Sequence, residues 1–407
     1  MTKQAANKVV TAAVIVAALG YFVDIFDLLL FAVVRVPSLA DLGYSKQQQT
    51  DLGVALLNFQ MGGMLIGGLL WGIWGDKKGR IAVLFGSIIT YSLANIANGF
   101  VASYEQYAAL RFIAGIGLAG ELGAGITLVA ETISQEKRGY STTLVASIGV
   151  LGAVAAALIA QHVPWRTAYF IGGGMGLALL LLRIGVFESG LFQRALEAPA
   201  DRGSVKMLFN NPERLRRFLC CIACGVPIWF IVGIFITLAK EFGETMHISP
   251  IPSNGTAVLY CYVGLSIGDL SSGLMSQLAK SRRRAIGLYI IACFVMSAVY
   301  LSLNGASVGT FYAVCLGLGV SAGYWAVFVT TAAEQFGTNL RATVATSVPN
   351  FVRGSVVPTT MAFTALKGPL GMVNAAWVLA VCATLLGVGA TFLLRESFHA
   401  DLDFLES

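Results

Sequence analysis

Residues 111–139 read RFIAGIGLAGELGAGITLVAETISQEKRG. The portion from Arg111 to Ala130 is apolar enough to cross a bilayer, which takes roughly 20 such residues in a helix, yet it carries Arg111 and Glu121. A charge at bilayer depth costs several kcal/mol even on lenient scales, so it faces a wet cavity or a partner. Beyond the crossing come Glu131, Lys137 and Arg138, expected in an aqueous loop. One helix holding both a cation and an anion at depth points to a route for a charged solute.

The rest of the chain agrees with a membrane setting. Of its 407 residues 57% are hydrophobic and only 12% charged, against about a quarter charged in soluble proteins. Apolar stretches of crossing length fall at 9–34, 52–74, 81–101, 107–130, 141–162, 167–187, 217–239, 254–278, 285–303, 309–333, 343–365 and 371–394. The expected fold is therefore an all-α membrane protein of twelve transmembrane helices, with the bilayer as its solvent and no large soluble domain. The first stretch is too long for a signal peptide and lacks a small-residue cleavage site.

Of the 27 Lys and Arg, 20 are expected at one face and Arg35, Lys46, Arg166, Lys240 and Lys367 at the other, with Arg111 and Arg353 inside crossings. That asymmetry predicts a multi-pass inner-membrane protein with both termini cytoplasmic. It also accounts for the net charge of +6 without a nucleic-acid partner. All seven cysteines lie in or beside apolar stretches. Cys221 and Cys224 make a C-x-x-C with no second pair, so they read as small packing residues, and neither a metal nor another cofactor is expected. A monomer is expected.

The longest connection, Glu188–Arg216, divides the helices six and six. The expected layout is a bundle over 1–190, a cytoplasmic linker over 191–215 and a second bundle over 216–407. An internal repeat supports the division. GLAGELGAGITLVAETISQEKRGYSTT from Gly117 resembles GVSAGYWAVFVTTAAEQFGTNLRATVAT from Gly319, and Glu131/Arg138 match Glu334/Arg341 at an offset of 203. GGLLWGIWGDKKGRIAV from Gly67 parallels SGLMSQLAKSRRRAIG from Ser272 more weakly. Paired six-helix repeats with a binding site at their interface resemble the major facilitator fold.

Gly72-Ile-Trp-Gly75-Asp76-Lys77-Lys78-Gly79-Arg80 is similar to the loop 2/3 signature of that superfamily, G-x-x-x-D-[RK]-x-G-R. Asp76 is suited to a helix N-terminus, and Arg80 and Lys77 to pairing with Glu131. Asp76, Arg80, Glu131 and Arg138, with Glu334 and Arg341, are the candidate gate residues. The second copy has Ser281 in place of the aspartate, so a latch there must be weaker or different.

Asp24 and Asp27 lie three residues apart on one face of helix 1. Two carboxylates in low dielectric repel, so one is a candidate to carry a proton. Asp24 lies roughly 22 Å from the cytoplasmic start of helix 1, and Arg111 roughly 8 Å from the outer start of helix 4. In a layer of about 30 Å these are one level, which predicts that they meet. Glu121 is a second proton-coupling candidate, roughly 15 Å deeper than Arg111. Asn350 and Arg353, one turn apart, are the other polar pair at depth. Arg353 and Arg111 would offer two guanidinium forks for carboxylates. Pro349 and Pro358 predict a bend in that helix.

R-x-x-x-G-x-x-x-x-G-E, as Arg111, Gly115, Gly120 and Glu121, followed by E-x6-R-G, as Glu131, Arg138 and Gly139, resembles the metabolite:proton symporters of the facilitator superfamily. Asp24-Ile-Phe-Asp27-Leu looks like that family's E-W-Y-D-F, and Trp165-Arg166 stands where it has W-R. Asp24 departs from the family's glutamate, and Ile25-Phe26 from its Trp-Tyr. The resemblance covers the N-terminal half well and the C-terminal half in outline. It implies proton-coupled passage of a small carboxylate or zwitterion by alternating access, with helices 1, 4, 7 and 10 lining the cavity. The implied contacts are Tyr21, Asp24, Asp27, Arg111, Glu121, Trp229, Phe230, Tyr324 and Trp325. Aromatic-acid and sugar symporters share the loop 2/3 motif, and an exporter of a polycarboxylate or drug is an alternative. No nucleophile–base pair points to an enzyme.

Overall fold

The structure is a computed structural model and describes residues 3–78, 80–121, 135–187, 205–398 and 406. Of the expected gate residues, Glu131 and the side chains of Asp76, Arg80 and Arg138 lie outside the described residues. The helices are α1 (Lys3–Asp41), α2 (Lys46–Lys78), α3 (Arg80–Asn98), α4 (Tyr104–Leu118), α5 (Gln135–His162), α6 (Trp165–Phe187), α7 (Val205–Phe209) and α8 (Pro212–Phe230). A π-helical segment, Ile231–Ile236, continues α8. Then come α9 (Ala239–Thr245), α10 (Asn254–Leu278), α11 (Arg282–Leu301), α12 (Val308–Ala322), α13 (Trp325–Glu334), α14 (Thr338–Gly354), α15 (Val356–Leu370) and α16 (Met372–Leu393).

Among the described residues, seven segments are long and apolar enough to cross a membrane: Lys46–Trp74, Trp165–Ile184, Pro212–Ile236, Asn254–Leu278, Arg282–Leu301, Val308–Glu334 and Met372–Leu393. The remaining expected crossings differ from these in identifiable ways. The described part of α1 holds Asp24, Asp27 and Arg35, and the stretch 107–130 runs past the described residues. The stretch 343–365 divides at Ser355, between α14 and α15. That break falls just before Pro358, which lacks an N–H for the helix ladder. By its backbone Asp76 belongs to the last turn of α2 rather than to a helix start, a correction to the sequence expectation.

Helix pairs come close where glycines leave room. Gly63 of α2 lies against Phe112 O of α4, and Gly115 of α4 against Gln60 O. Gly264 of α10 lies likewise against Leu316 O of α12, and Gly319 of α12 against Cys261 O. A Cβ at any of these would strike backbone, which cannot give way as a flexible side chain can. Gly264→Ala is therefore expected to cost about 1–3 kcal/mol. Gly273→Ala, on the same helix with nothing near its Cβ, is expected to be neutral or slightly stabilising. Thermal unfolding of the two variants side by side checks this.

Contacts between the first six helices and the later ones run through α5 on α10 and α2 on α14. At one end of the molecule Arg35, fully buried, donates to Glu241 Oε1, to Thr237 O at 3.1 Å and to Gln49 O at 3.2 Å. Lys367 pairs there with Asp51 at 3.6 Å, and Thr360 Oγ1 donates to Asn58 Oδ1 at 2.6 Å.

At the other end Glu334 pairs with Arg282 at 3.3 Å and accepts from Ser397 Oγ at 2.6 Å. Arg341 donates to Phe336 O at 3.4 Å. Ser281, which replaces the repeat's aspartate, caps α11. Glu396 from beyond α16 supplies the missing carboxylate, accepting from Ser281 Oγ and from Arg282 N at 2.9 Å. Burial alone would raise the Glu396 carboxyl, but bonds from Ser281 and the amides of Arg282, Phe398 and Arg283 hold it below the usual glutamate value. Its stabilising contribution is then complete above about pH 5 and is lost as pH falls through the lowered folded value. Glu396→Gln is expected to unfold roughly 1–2 °C lower than wild type at neutral pH, with the difference closing below about pH 4. Melting curves across that range read it directly.

Candidate functional site

Two broken helices bring backbone and side chains to one buried place. The crossing expected over 309–333 stops at Ala322 and restarts at Trp325, leaving Gly323 and Tyr324 between α12 and α13. The α8 crossing loosens into its π-helical segment at Ile231–Ile236. Irregular backbone at membrane depth persists only where protein or a cavity satisfies it. Beside these breaks lies a cavity of about 20 Å³, bounded by Tyr21 of α1, Val150 of α5, Trp229 of α8, Tyr262 of α10, Trp325 of α13 and Arg353 of α14. That is room for one or two water molecules and not for a metabolite in this conformation.

Arg353 is the cation of the cavity. It is 1% exposed, and its Nη2 donates to Asp24 Oδ2 at 3.4 Å. Nε and Nη1 have no partner among the described residues. The guanidinium carbon stands 5.9 Å from the Trp229 ring centroid and 5.7 Å from that of Trp325. Nε and Nη1 lie on opposite edges of the guanidinium, so a two-point fork to a planar carboxylate pairs one of them with Nη2, the donor that Asp24 holds.

The expected meeting of Asp24 with Arg111 does not occur. Asp24 turns to Arg353, across the molecule from α1 to α14. Depth along a helix does not fix direction: three residues turn a helix through about 300° and leave Asp24 and Asp27 about 60° apart. Asp27, fully buried, makes no well-formed hydrogen bond among the described residues; the Asn95 side chain lies beside it, and it sits against Gly172 of α6. Arg111 is the cation whose charge it senses. Arg111 donates to Asn95 Oδ1 at 2.6 Å and Asn98 Oδ1 at 3.4 Å, and lies 4.8 Å over the Tyr169 ring. Its Nη1 has no partner among the described residues. Arg111 and Arg353 thus hold different partners in this conformation.

Glu121 forms a two-point ion pair with Arg183, both 2% exposed, with Gly20 of α1 leaving the space. Arg183, one of the 20 basic residues expected at one face, is buried because α6 turns it inward onto Glu121 just past α4. Tyr324 is corrected as well. It is fully buried, and its hydroxyl donates to Cys224 O at 2.9 Å, which fixes the helix break rather than facing the cavity. Asn350 donates to Ala119 O at 2.8 Å, tying α14 to the end of α4 and lying outside the cavity wall. Phe230 packs on Phe235, with ring centroids 4.9 Å apart. Tyr21, Trp229 and Trp325 do line the cavity.

Reading the sequence missed Asp269, Tyr262 and Glu241. Asp269 had the same signal as Glu121, an acid inside an apolar stretch. Tyr262 had none, being one aromatic among many. Among the described residues no cluster of potential metal ligands occurs.

The profile of the Major Facilitator Superfamily matches residues 17–355. The chain belongs to the Major Facilitator Superfamily. It is accordingly a multi-pass membrane transporter and not an enzyme. A Haemophilus influenzae protein named for metabolite transport is 28% identical over 81% of this chain and 83% of its own length. A Cupriavidus pinatubonensis protein named as a probable 4-methylmuconolactone transporter is 25% identical over 93% and 89%. The cis,cis-muconate transport protein of Acinetobacter baylyi is 25% identical over 88% of each. As a facilitator of this metabolite-transporting kind, the chain is similar to carriers of small organic acids.

Proposed function

We propose that this facilitator carries a small organic anion across the inner membrane by proton symport, with a planar, unsaturated carboxylate as the preferred solute. The observation that carries the reading is Arg353, buried beside the cavity with Nε and Nη1 unpartnered and flanked by Trp229 and Trp325. The compounds for which two relatives are named, 4-methylmuconolactone and cis,cis-muconate, are small unsaturated compounds of the same kind.

In this reading a solute carboxylate takes one free donor of Arg353 and competes with Asp24 for Nη2, which completes the fork. A proton is carried at Asp27, which makes no well-formed hydrogen bond among the described residues and faces a site governed by Arg111. Glu121, held at two points by Arg183, serves the proton step less directly. Twelve crossings in two six-helix halves, 1–190 and 216–407 joined by 191–215, rock about the cavity as a monomer with both termini cytoplasmic. The Arg35–Glu241 bond closes the outer side. Protonation and solute binding shift the population between the two openings. Asp76, Arg80, Glu131 and Arg138, with Glu334 and Arg341, close the inner side.

Thermal stabilisation of the purified chain by a solute panel tests the substrate class. Unsaturated mono- and dicarboxylates are expected to raise the midpoint, aliphatic betaines less so, and neutral sugars not at all. Stabilisation by sugars alone would overturn the anion reading.

A further inference from the structure

Asp27 and Arg111 are both fully buried, yet no hydrogen bond joins them. The guanidinium turns instead to α3, where Nη2 donates to Asn95 Oδ1 at 2.6 Å and Nε to Asn98 Oδ1 at 3.4 Å. Buried charges are usually paired with each other, because each left alone is costly. Here a neutral amide takes the cation, and a carboxylate without a well-formed bond lies beside the same amide.

Packing on α6 brings these groups together. Asp27 Oδ1 occupies the space that Gly172 leaves open. The next residue, Gly173, admits the turn of α3 from Ser92 to Ile96, with Ser92 O and the Ile96 side chain against it. Asn95 belongs to that turn and is fully buried. Its two amide atoms have fixed roles: Arg111 can only donate, so the oxygen faces the cation and the nitrogen is left for another partner. Nδ2 has no well-formed bond among the described residues, and Asp27 is the acid beside this side chain. Asn98 differs, since its nitrogen donates to Ala94 O at 2.7 Å. The charged neighbours of Asp27 are Arg111 of α4 and Asp24 of its own helix, and Tyr91 of α3 and Tyr169 of α6 feel its charge. From α2 comes the neutral Gln60, bonded to Leu28 O at 3.3 Å. Among described side chains α5 has one titratable group, His162, its last residue. Asp269 of α10 acts near Tyr21, six residues before Asp27.

We infer that Asn95 is a positioning residue of the proton step: its amide, fixed at the oxygen by Arg111, presents an N–H to Asp27 and stabilises the carboxylate when the proton leaves. The proton passes between Asp27 and water, and Asn95 neither gives nor takes one. A donor bonded to the charged form of an acid favours that form. The amide thereby sets the acidity at which Asp27 releases its proton, without the standing ion pair that direct contact with Arg111 would make. The bond also ties α1 to α3 in the ionised state alone. A contact that differs between protonation states is what biases an alternating equilibrium. This rests on the proton-symport reading above, with Asp27 as the carrier.

The test is an infrared pH titration of the purified full-length protein in lipid, following the protonated-carboxyl band that disappears in Asp27→Asn. Each variant is read against its own Asp27→Asn counterpart. Asn95→Asp keeps an oxygen for Arg111, removes the N–H and sets a like charge beside Asp27. It is expected to move the midpoint of the band up by about one pH unit. Asn98→Asp offers Arg111 the same new carboxylate from the amide that serves Ala94 O, and is expected to move it by less than about 0.3 unit. Asn95→Ala removes the amide without adding charge and is expected to move the midpoint up by about half a unit. If Asn95→Asp cannot be purified folded, the Asn95→Ala midpoint decides. A role confined to ordering Arg111 would leave the midpoint where it is. An unchanged or lowered midpoint in the folded Asn95 variants, or an equal rise in Asn98→Asp, overturns the inference with the proton reading intact. A wild type with no titrating Asp27 band between about pH 5 and 10 removes Asp27 as the proton carrier, and the inference falls with that reading.

Discussion

Arg353→Ala is expected to lower carboxylate affinity by about 30-fold or more and to abolish saturable uptake at micromolar solute. Removing one member of a buried, hydrogen-bonded charge pair costs about 2–5 kcal/mol, and each 1.4 kcal/mol is a factor of about ten. The variant also leaves Asp24 buried with its only described hydrogen-bond partner removed, which disfavours this conformation. Arg353→Lys separates charge from geometry: a lysine restores the cation but cannot present two parallel donors, so partial recovery is expected. Asp24→Asn makes the complementary point. It removes the competitor for Arg353, so carboxylate binding should tighten even where turnover slows. Binding isotherms of the three variants against one carboxylate distinguish these outcomes. Wild-type affinity in Arg353→Ala would show that the cation only orders the bundle.

Asp27→Asn is expected to uncouple transport from the proton gradient. The side chain stays the same size beside Gly172, so packing is preserved, but it can no longer release a proton. A ligand or proton biases an alternating equilibrium only through different interaction with its two states, and the neutral amide removes that difference. Accumulation driven by an imposed pH difference should fall to simple equilibration. Solute–solute exchange, which needs no net proton movement, should remain within a few-fold of wild type. Glu121→Gln is expected to act differently, by leaving Arg183 buried without its anion, and so to lower stability more than coupling. Uptake that keeps its rate and pH dependence in both variants would remove these carboxylates from the proton step.

The membrane class could be read from the sequence because it depends on composition and length, which have few alternatives at 57% hydrophobic residues. Tyr21, Trp229, Trp325 and Arg353, each an aromatic or a cation within an apolar stretch, line one small cavity. Azimuth was harder. Depth along a helix follows from counting, whereas the choice of Arg353 over Arg111 for Asp24 depends on how α1 is rotated and on which half it meets. Arg183 was misplaced for the same reason: its position near a helix end suggested the aqueous face, and only packing turns it onto Glu121. Tyr324 supports a backbone carbonyl in this conformation because a helix break turns its hydroxyl onto Cys224 O. Glu396 shows a third kind of gap. The lost aspartate at Ser281 was visible, but its replacement comes from a tail 115 residues away, which no local pattern reveals.

The most direct test is counterflow-free uptake of cis,cis-muconate into proteoliposomes of the purified protein, with an imposed pH difference and clamped membrane potential. Accumulation above equilibrium that follows the inward proton gradient, vanishes with an uncoupler and is absent in Arg353→Ala is the predicted result. If no small carboxylate gives saturable flux, or if flux ignores the gradient in either direction, proton-coupled anion transport through the Arg353 site is contradicted.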